Sequence, residues 1–364
     1  MGRDFKKNKV KVDLASYPLY LVQGVPKVGK TTLMYDLAQY VYGDVDKMLL
    51  ISFKDEEGYN HLDGVLVEQL NYWSKVPKKA LKVNPDEISF TNLVDDIIEN
   101  NHEYGFKMIT FDTFDKLVEL GIDEVKRLHQ EQKGTPCKSL NDALGGYGKG
   151  RDKLLELMLE PINKLRKAGI AIFILAHTKY KQKMDDSTGT EYDQLTNSLR
   201  HDFYACYSNI AQMIVTIDIE RSIVDGKQTG ERRMMHFRSN GTVDCGCRFK
   251  EVPDKLDLSA ENFMLAFETG VKSNMKKDVT DKDIEKIRRE EIQEMERVAG
   301  IEKEFIVDEK KNGELLKTIQ SLFISAEDNK KNKAKALVKE YGLSGFTDTN
   351  FPTKHIENIL SALQ

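Results

Sequence analysis

The chain has 364 residues, of which 40% are hydrophobic and 31% are charged. This length suits one large domain with a smaller appendage, and the composition excludes global disorder. With 55 basic against 59 acidic residues, the formal net charge is −4, which excludes a uniformly basic nucleic-acid-binding protein but not local basic patches. Four cysteines, of which only Cys245 and Cys247 lie close together, do not make a disulfide framework in a chain of this length. No apolar run is long enough to predict a membrane span, so a cytoplasmic protein is expected.

Apolar runs alternate with amphipathic stretches over the first two thirds of the chain. The runs predict strands at 20–22, 48–51, 108–111 and 170–175. The stretches between them have apolar residues three and four positions apart, which predicts helices at 30–42, 90–103, 114–130 and 151–168. This alternation is typical of an α/β domain with a mostly parallel sheet flanked by helices.

The pattern then changes to antiparallel strands and ends in helices. Residues 212–217 and 233–237 predict a hairpin whose turn includes Asp225, Gly226 and Gly230. The core is therefore expected to span residues 15–270, after a basic N-terminal arm at 1–14. A charged helical linker is expected at 271–312, followed by a small α-helical module of three short helices at 313–364.

The segment GVPKVGKT, from Gly24 to Thr31, fits the phosphate-loop pattern G-x-x-x-x-G-K-[ST] completely. Its glycines let successive backbone N–H groups point at phosphate oxygens, and the helix that begins at Lys30 adds a positive dipole end. Lys30 is expected to reach the β- and γ-phosphates of ATP, and the Thr31 hydroxyl to bind Mg²⁺. The predicted nucleotide-binding residues are Gly24, Val25, Pro26, Lys27, Val28, Gly29, Lys30, Thr31 and Thr32.

Carboxylates follow two other strands. Asp112 ends the run 107–112 and is the predicted second magnesium-binding residue, whereas Asp115 is interpreted as a helix cap or a solvated side chain. The strand beginning at Met48 leads into Asp55, Glu56 and Glu57. A carboxylate there could orient the attacking water, and Glu56 is favoured over its neighbours, with a solvated acidic turn as the alternative.

A histidine and an arginine are candidates for contacts with the γ-phosphate. His177 follows the strand 170–175 and could sense the γ-phosphate, although an ordinary hydrogen-bonded histidine at a strand end fits as well. Arg238, at the end of the hairpin, is the candidate arginine finger for a neighbouring subunit. Arg232 and Arg233 are interpreted as members of surface ion pairs.

Two segments combine basic residues with tyrosine and are expected to be loops on the nucleotide face. Such residues bind single-stranded DNA through contacts to phosphates and stacking on bases, although solvated charged loops look similar. The candidate DNA-binding residues are Tyr147, Lys149 and Arg151 in the first segment, and Lys179, Tyr180, Lys181 and Lys183 in the second.

Residues 15–255 resemble RecA-type ATPases of the phage recombination kind, the core-only RecA-like single-strand annealing proteins. The resemblance is carried by GVPKVGKTT, FKDEEGYN, ITFDT, GGYGKG, LAHTK and FRSNGTVDCGCRF. It implies a RecA-like P-loop NTPase fold, ATP and Mg²⁺ as cofactors, catalysis at Glu56, sensing at His177 and DNA-contacting loops at 145–151 and 179–200.

Two functions are compatible with these features. The first is an ATP-dependent, Mg²⁺-requiring recombination and annealing protein that binds single-stranded DNA as a homo-oligomer, in a ring or a filament, and hydrolyses ATP. The alternative is a nucleotide-gated adaptor whose helical tail recruits a replication partner or a single-strand DNA-binding protein. The complete carboxylate set favours the enzyme, because a protein that only binds nucleotide would not need Glu56.

Overall fold

The computed structural model describes residues 19–274 except 186, 225 and 226, together with 286, 309–341, 349 and 352–363. The predicted N-terminal arm at 1–14, the greater part of the predicted linker at 271–312 and the Asp225–Gly226 turn lie outside the described residues. The chain divides into two compact units, with the boundary after Ile292.

The first unit contains ten strands and seven α-helices among its described residues. The strands are β1 (Leu19–Gly24), β2 (Met48–Phe53), β3 (Leu66–Leu70), β4 (Met108–Asp112), β5 (Ala171–Met184), β6 (Glu191–Asn197), β7 (Met213–Val224), β8 (Lys227–His236), β9 (Gly246–Cys247) and β10 (Lys255–Asp257). The helices are α1 (Lys30–Tyr42), α2 (Lys78–Val83), α3 (Phe90–Tyr104), α4 (Phe114–Lys133), α5 (Lys149–Lys167), α6 (His201–Ser208) and α7 (Ala260–Asn274).

The strands form one mixed sheet in the order β10-β8-β7-β1-β5-β4-β2-β3, with β6 paired to β5 and β9 to β7. The central strands from β7 to β3 run parallel, whereas β6, β8, β9 and β10 are antiparallel to their neighbours. This is the predicted RecA-like α/β class, with a mostly parallel sheet and antiparallel strands towards the C-terminal end of the core. The prediction of fold class is therefore confirmed.

The apolar runs become the centre of this sheet because helices cover both of its faces. Every residue of β1, β2 and β4 is buried, as expected for parallel strands packed on both sides. Apolar side chains of α1 and α7 pack on one face, and those of α3, α4, α5 and α6 pack on the other. The last residues of β1 and β4 are level with His177 and Leu175 of β5, respectively, so the three strands share one edge of the covered sheet at these positions.

Several elements differ from the predictions from sequence. The strand predicted at 170–175 is β5, which continues past Leu175 to Met184 and pairs with β6. Residues 179–184 are therefore a strand rather than a loop. The β7–β8 hairpin is also longer than predicted, with an irregularity in register between Ser222 and Ile223. The extension of β5 is mostly polar, and that of the hairpin mixes polar residues with Ile219, which packs against the core, so pairing of the backbone with a neighbouring strand defines both extensions.

The second unit contains α8 (Glu309–Ser325), α9 (Asp328–Tyr341) and α10 (Thr353–Leu363). Both α8 and α9 pack against α10 around a small apolar core of its own that includes Leu316, Ile319 and Ile356. The helical character predicted for this part of the chain is observed. In neither unit do the described helices combine the length and apolarity needed to cross a bilayer.

Candidate nucleotide-binding site

The phosphate loop connects the buried end of β1 to the first turn of α1. Lys27 and Gly29 have φ values of 64° and 103°, so the backbone curls through the left-handed region before the helix begins at Lys30. A Cβ at Gly24 would lie 2.8 Å from the carbonyl oxygen of Ile217 on the neighbouring strand. Gly24 is therefore required by the close approach of β7, and Gly29 by the backbone conformation.

Lys30 lies inside this loop and is only 6% exposed. Its Nζ donates hydrogen bonds to the backbone oxygens of Gly24, at 3.0 Å, and Val25, at 3.1 Å. Burial lowers the pKa of Lys30, and the nearby carboxylates of Asp112, Asp115 and Glu56 oppose that shift. Backbone carbonyls thus hold the amine at the mouth of the loop, where a phosphate oxygen could replace them.

The Thr31 hydroxyl donates a 2.8 Å hydrogen bond to Asp112 Oδ2. These residues come from α1 and β4, although β5 lies between β1 and β4 in the sheet. Asp112 is only 2% exposed, and burial raises its pKa to about 6 despite the hydrogen bond from Thr31. The two predicted metal-binding residues are thus in direct contact. Burial deprives the Asp112 carboxylate of water, and a bound cation could stabilise its negative charge in place of that water.

The structure brings Glu56, but not Glu57, towards this pair. Ser52 donates a 2.7 Å hydrogen bond to the backbone oxygen of Glu56, while Glu57 is exposed to solvent. A Cβ built on Gly58 would lie 3.4 Å from Glu56 Oε1 and 3.8 Å from both Asp112 Oδ2 and Thr31 Oγ1. Oxygens of these three side chains therefore surround one small space, which a side chain at position 58 would fill.

The donor set around this space fits a magnesium ion. Hydroxyl and carboxylate oxygens are ligands that Mg²⁺ accepts, and it keeps several waters and phosphate oxygens in its octahedron. Across the described residues, no group of three or more His, Cys, Asp or Glu side chains forms a dedicated metal cage. The site thus has the few protein ligands expected of a metal held jointly with a nucleotide.

His177 stands at the point where β5 leaves the core of the sheet, level with Gly24 on β1. Its Nδ1 lies 3.4 Å from Asp115 Oδ2, and its backbone N–H donates to the same oxygen at 3.2 Å. Ser198, just after β6, donates to the other oxygen of Asp115. Burial alone would raise the pKa of Asp115, but the hydrogen bonds from His177 and Ser198 lower it. Asp115 is therefore neither a solvated side chain nor a simple helix cap.

A family model described as an AAA domain matches residues 17–249, which includes every strand from β1 to β9. The chain belongs to this AAA-domain family. With its complete phosphate loop and RecA-like sheet, the AAA domain is a P-loop ATPase, as predicted. Membership of the phage annealing proteins remains a prediction.

Among solved structures, the KaiC-like protein from the hyperthermophilic archaeon Pyrococcus horikoshii OT3 is similar to this chain at 13% sequence identity and a TM-score of 0.36. The similarity covers 66% of this chain and 85% of that one. Among curated protein sequences, none matches the chain significantly.

The second candidate DNA-binding segment of the AAA domain is a two-stranded ribbon and not a loop. We call residues 178–184 of β5 and 191–197 of β6 the β5–β6 ribbon. Since side chains alternate along a strand, three lysines share one face and Tyr180 lies on the other. The lysines Lys179, Lys181 and Lys183 are opposite Thr196, Gln194 and Tyr192, respectively, none of which is acidic.

The first candidate segment has mixed surroundings. The side chain of Tyr147 is fully exposed, with φ 53°, and Lys149 is the first residue of α5. Arg151 instead lies 3.3 Å from Asp202 and donates to Asn141, so part of its charge is balanced within the chain. Tyr147 and Lys149 are accordingly the freer members of this segment.

Arg238 is engaged within its own chain. Its guanidinium donates to the backbone oxygens of Val252, at 3.3 Å, and Lys250. Because Met235 of β8 is level with Ile217, and Ile217 with Gly24, Arg238 lies towards the amino end of β1 and away from the phosphate loop. A role for Arg238 in a neighbouring subunit remains a prediction.

Sequence reasoning missed two features near the loop. Arg232 does form the expected ion pair, at 2.7 Å from Asp257, but Arg233 lies beside Gly29 instead. Gln23, buried just before the loop, donates to Thr216 Oγ1 at 2.9 Å and accepts from Asn197 Nδ2 at 2.9 Å. Neither residue belongs to a motif, and only the strand register brings them to the site.

Proposed function

We propose that this ATPase is a Mg²⁺-dependent, RecA-like recombination protein that binds single-stranded DNA as an oligomer and promotes annealing or strand pairing. The observation that carries the proposal is the continuity of β5. One strand leads from His177 at the nucleotide site into the three-lysine face of the β5–β6 ribbon. The phage affiliation and a cytoplasmic place of action belong to the same proposal.

The nucleotide site supports hydrolysis rather than binding alone. Lys30 would exchange its backbone partners for phosphate oxygens and stabilise the charge of the transferring phosphoryl group. Glu56 would orient the attacking water from the space that it shares with Thr31 and Asp112. Mg²⁺ held by Thr31 and Asp112 would supply charge neutralisation at the β- and γ-phosphates.

The β5–β6 ribbon supports binding to a polyanion. No hydrogen bond or ion pair joins Lys179, Lys181 or Lys183 to another side chain of the described residues. Three unpaired cations on one face attract a phosphate backbone, and Tyr192 beside Lys183 could stack on a base. Acidic Asp193 and Glu191 lie on the opposite face, whereas the Asp244 carboxylate reaches the lysine face, where it accepts a 2.7 Å hydrogen bond from Thr196 opposite Lys179.

Contacts at the root of the ribbon support a connection to the nucleotide. Asp115 joins His177 on β5 to Ser198 after β6, so one carboxylate contacts both strands. A change in the position of His177 on γ-phosphate binding would therefore alter the root of the ribbon. Because the net charge is close to neutral, tight DNA binding is proposed only for an ATP-bound homo-oligomer, a ring or a filament, in which several ribbons act together.

Turnover and DNA retention test this proposal together. ATPase activity is measured with and without single-stranded DNA, and DNA retention is measured in ATP, in ADP and without nucleotide, with mass determination in each state. We expect DNA to stimulate turnover, and ATP to promote both assembly and DNA retention. An ATPase that is insensitive to DNA and retains no DNA in ATP contradicts the proposal.

A nucleotide-gated adaptor remains the second candidate, favoured by the separate apolar core of the C-terminal helices. In that case Lys30→Ala would abolish recruitment of a partner, while Glu56→Gln would leave both nucleotide binding and turnover unchanged. Loss of turnover in Glu56→Gln with retained ATP binding favours the enzyme.

A further inference from the structure

Arg233 lies directly beside the phosphate loop of its own subunit. A Cβ built on Gly29 would be 3.5 Å from an NH1 nitrogen of Arg233, next to the side chain of Leu258. Gly29 precedes the first residue of α1, where backbone N–H groups of a phosphate loop face the phosphates. The guanidinium is therefore at the rim of the candidate nucleotide site.

The register of the sheet explains this position. Met235 pairs with Ile217, which is level with Gly24 at the end of β1, and Arg233 lies two residues beyond on the hairpin. Residues two apart on a strand share a face. Met235 packs in the apolar core beneath α1, so Arg233 projects on the same side of the sheet, towards the beginning of that helix.

The Arg233 guanidinium has no acidic partner among the residues that the structure describes. Arg233 is exposed, and the described residues provide no hydrogen bond or ion pair for its guanidinium, whereas Arg232 is 2.7 Å from Asp257. The beginning of α1 is the positive end of a helix dipole, which is unfavourable for a cation unless an anion lies between them. A bound phosphate group would pair with the Arg233 guanidinium and would also interact favourably with the positive end of the α1 dipole.

We propose that Arg233 binds the diphosphate portion of the nucleotide in cis, which extends the ATP binding described under the proposed function. Backbone N–H groups of a phosphate loop cradle the α- and β-phosphates, while the lysine reaches the β- and γ-phosphates. A guanidinium beside Gly29 therefore contacts phosphates that ADP and ATP share, through two parallel N–H donors. Arg233 would hold the nucleotide without taking part in bond cleavage.

This assignment differs from that of an arginine finger. A finger supplied by a neighbour stabilises the transition state, so its loss lowers kcat and depends on oligomerisation. Arg233 contacts the loop of its own chain, so its loss weakens the binding of ADP and ATP alike, in the monomer as well. The kcat at saturating ATP remains close to that of the wild type.

The test compares Arg233→Ala with Arg232→Ala, which removes the same side chain from the neighbouring position. Titration calorimetry measures affinity for ADP and for a non-hydrolysable ATP analogue, and thermal unfolding shows whether each variant is folded. Loss of a charge-assisted contact predicts about tenfold weaker binding of both ligands by Arg233→Ala and no change for Arg232→Ala. Arg233→Lys should recover only part of the loss, because an ammonium lacks the bidentate fork.

Lys30→Ala separates this inference from the function on which it rests. If Lys30→Ala weakens nucleotide binding and Arg233→Ala does not, the assignment of Arg233 is wrong while the nucleotide site stands. A loss of kcat with unchanged ADP affinity in Arg233→Ala also overturns the assignment. If the wild-type protein binds neither ADP nor the ATP analogue, the proposed ATP-dependent function itself fails.

Discussion

The nucleotide site and the β5–β6 ribbon lie along the same strand but are built in opposite ways. Polar side chains of the nucleotide site are buried or half-buried, and several are already paired within the chain, as Lys30 is with two carbonyls and Thr31 with Asp112. Among the described residues, no such partner is found for the three lysines of the ribbon. The nucleotide site is therefore preorganised for its ligand. In the ribbon, by contrast, the lysine side chains would become ordered only when a ligand binds.

This difference predicts two kinds of response to substitution. A single change in the preorganised site removes a group that no neighbour can replace, so large and specific effects are expected. A change in the ribbon removes one of several similar cations, so small effects that add together and depend on salt are expected.

The largest expected effect is that of Glu56→Gln on turnover. Removing the carboxylate that is proposed to orient the attacking water should lower kcat by about 100-fold or more, with ATP binding retained. Glu57→Gln, one position along and exposed, should change kcat less than about twofold, because surface changes are usually small. Steady-state turnover and nucleotide titration of both variants provide the measurement. Equal losses in the two variants would contradict the assignment of Glu56.

Asp112→Asn should make the protein without metal and nucleotide more stable. The pKa of Asp112 rises from 3.8 to about 6 on folding, so ionisation of this carboxyl reduces stability as the pH rises through that interval. A shift of about two pKa units corresponds to about 3 kcal/mol as an upper value above pH 6. Urea unfolding with EDTA at pH 7.5 should show the gain, and it should vanish near pH 4. A less stable variant at pH 7.5 would show that the buried charge is not costly.

Glu124, which lies outside both regions, tests the opposite case, in which a buried carboxylate is stabilised in its charged form. It accepts hydrogen bonds from Arg127 and Ser74, which lower its pKa from 4.5 although burial alone would raise it. Its contribution to stability is therefore present above pH 4.5 and is lost as the pH falls through the folded-state pKa. Glu124→Gln should lower the free energy of unfolding by about 2 kcal/mol at pH 7, and by less at pH 3. A difference independent of pH would exclude an effect of the charge.

The smallest effect per residue is expected in the ribbon. Replacing Lys179, Lys181 and Lys183 together by Gln should weaken binding of single-stranded DNA and lower the slope of log affinity against log salt by about 0.7 per lysine that contacts a phosphate. The matched control neutralises Lys75, Lys116 and Lys153, which form ion pairs with Glu131, Glu119 and Glu156, respectively. Equal changes in slope for the two triple variants would remove the ribbon from the DNA interface.

The contrast also explains how much the sequence could predict. Buried strands and their helices have strong apolar periodicity, so α1 was predicted at its observed bounds and the central strands were located. The phosphate loop was recognisable because Gly24, Gly29 and Lys30 must lie at fixed spacing along one short segment. Asp112 and Glu56 could be proposed as strand-end carboxylates before their convergence with Thr31 was visible.

Features that depend on pairing between distant segments were not predictable. The extension of β5 is polar and charged, and only its partner β6 makes it a strand. Arg233 and Arg238 have similar sequence contexts, yet the register of β8 directs one towards the phosphate loop and the other away from it. The roles of Asp115 and Gln23 depend on residues far away in the chain, Ser198 and Asn197 among them.

The Gln23–Asn197 hydrogen bond has a mechanical consequence. Gln23 adjoins the phosphate loop, and Asn197 pairs with Thr178 at the base of the ribbon. This hydrogen bond therefore connects the base of the ribbon to the residue beside the phosphate loop. Residues 194–196 of β6 are also bonded to the segment 241–244, so about three residues of extended strand, or about 10 Å, project beyond the anchored part of the ribbon. A rotation of about 5° there would move the tip by about 1 Å, comparable to the small element shifts that operate allosteric switches. Closure of a few tenths of an ångström around a phosphate could thereby be amplified at the lysine face.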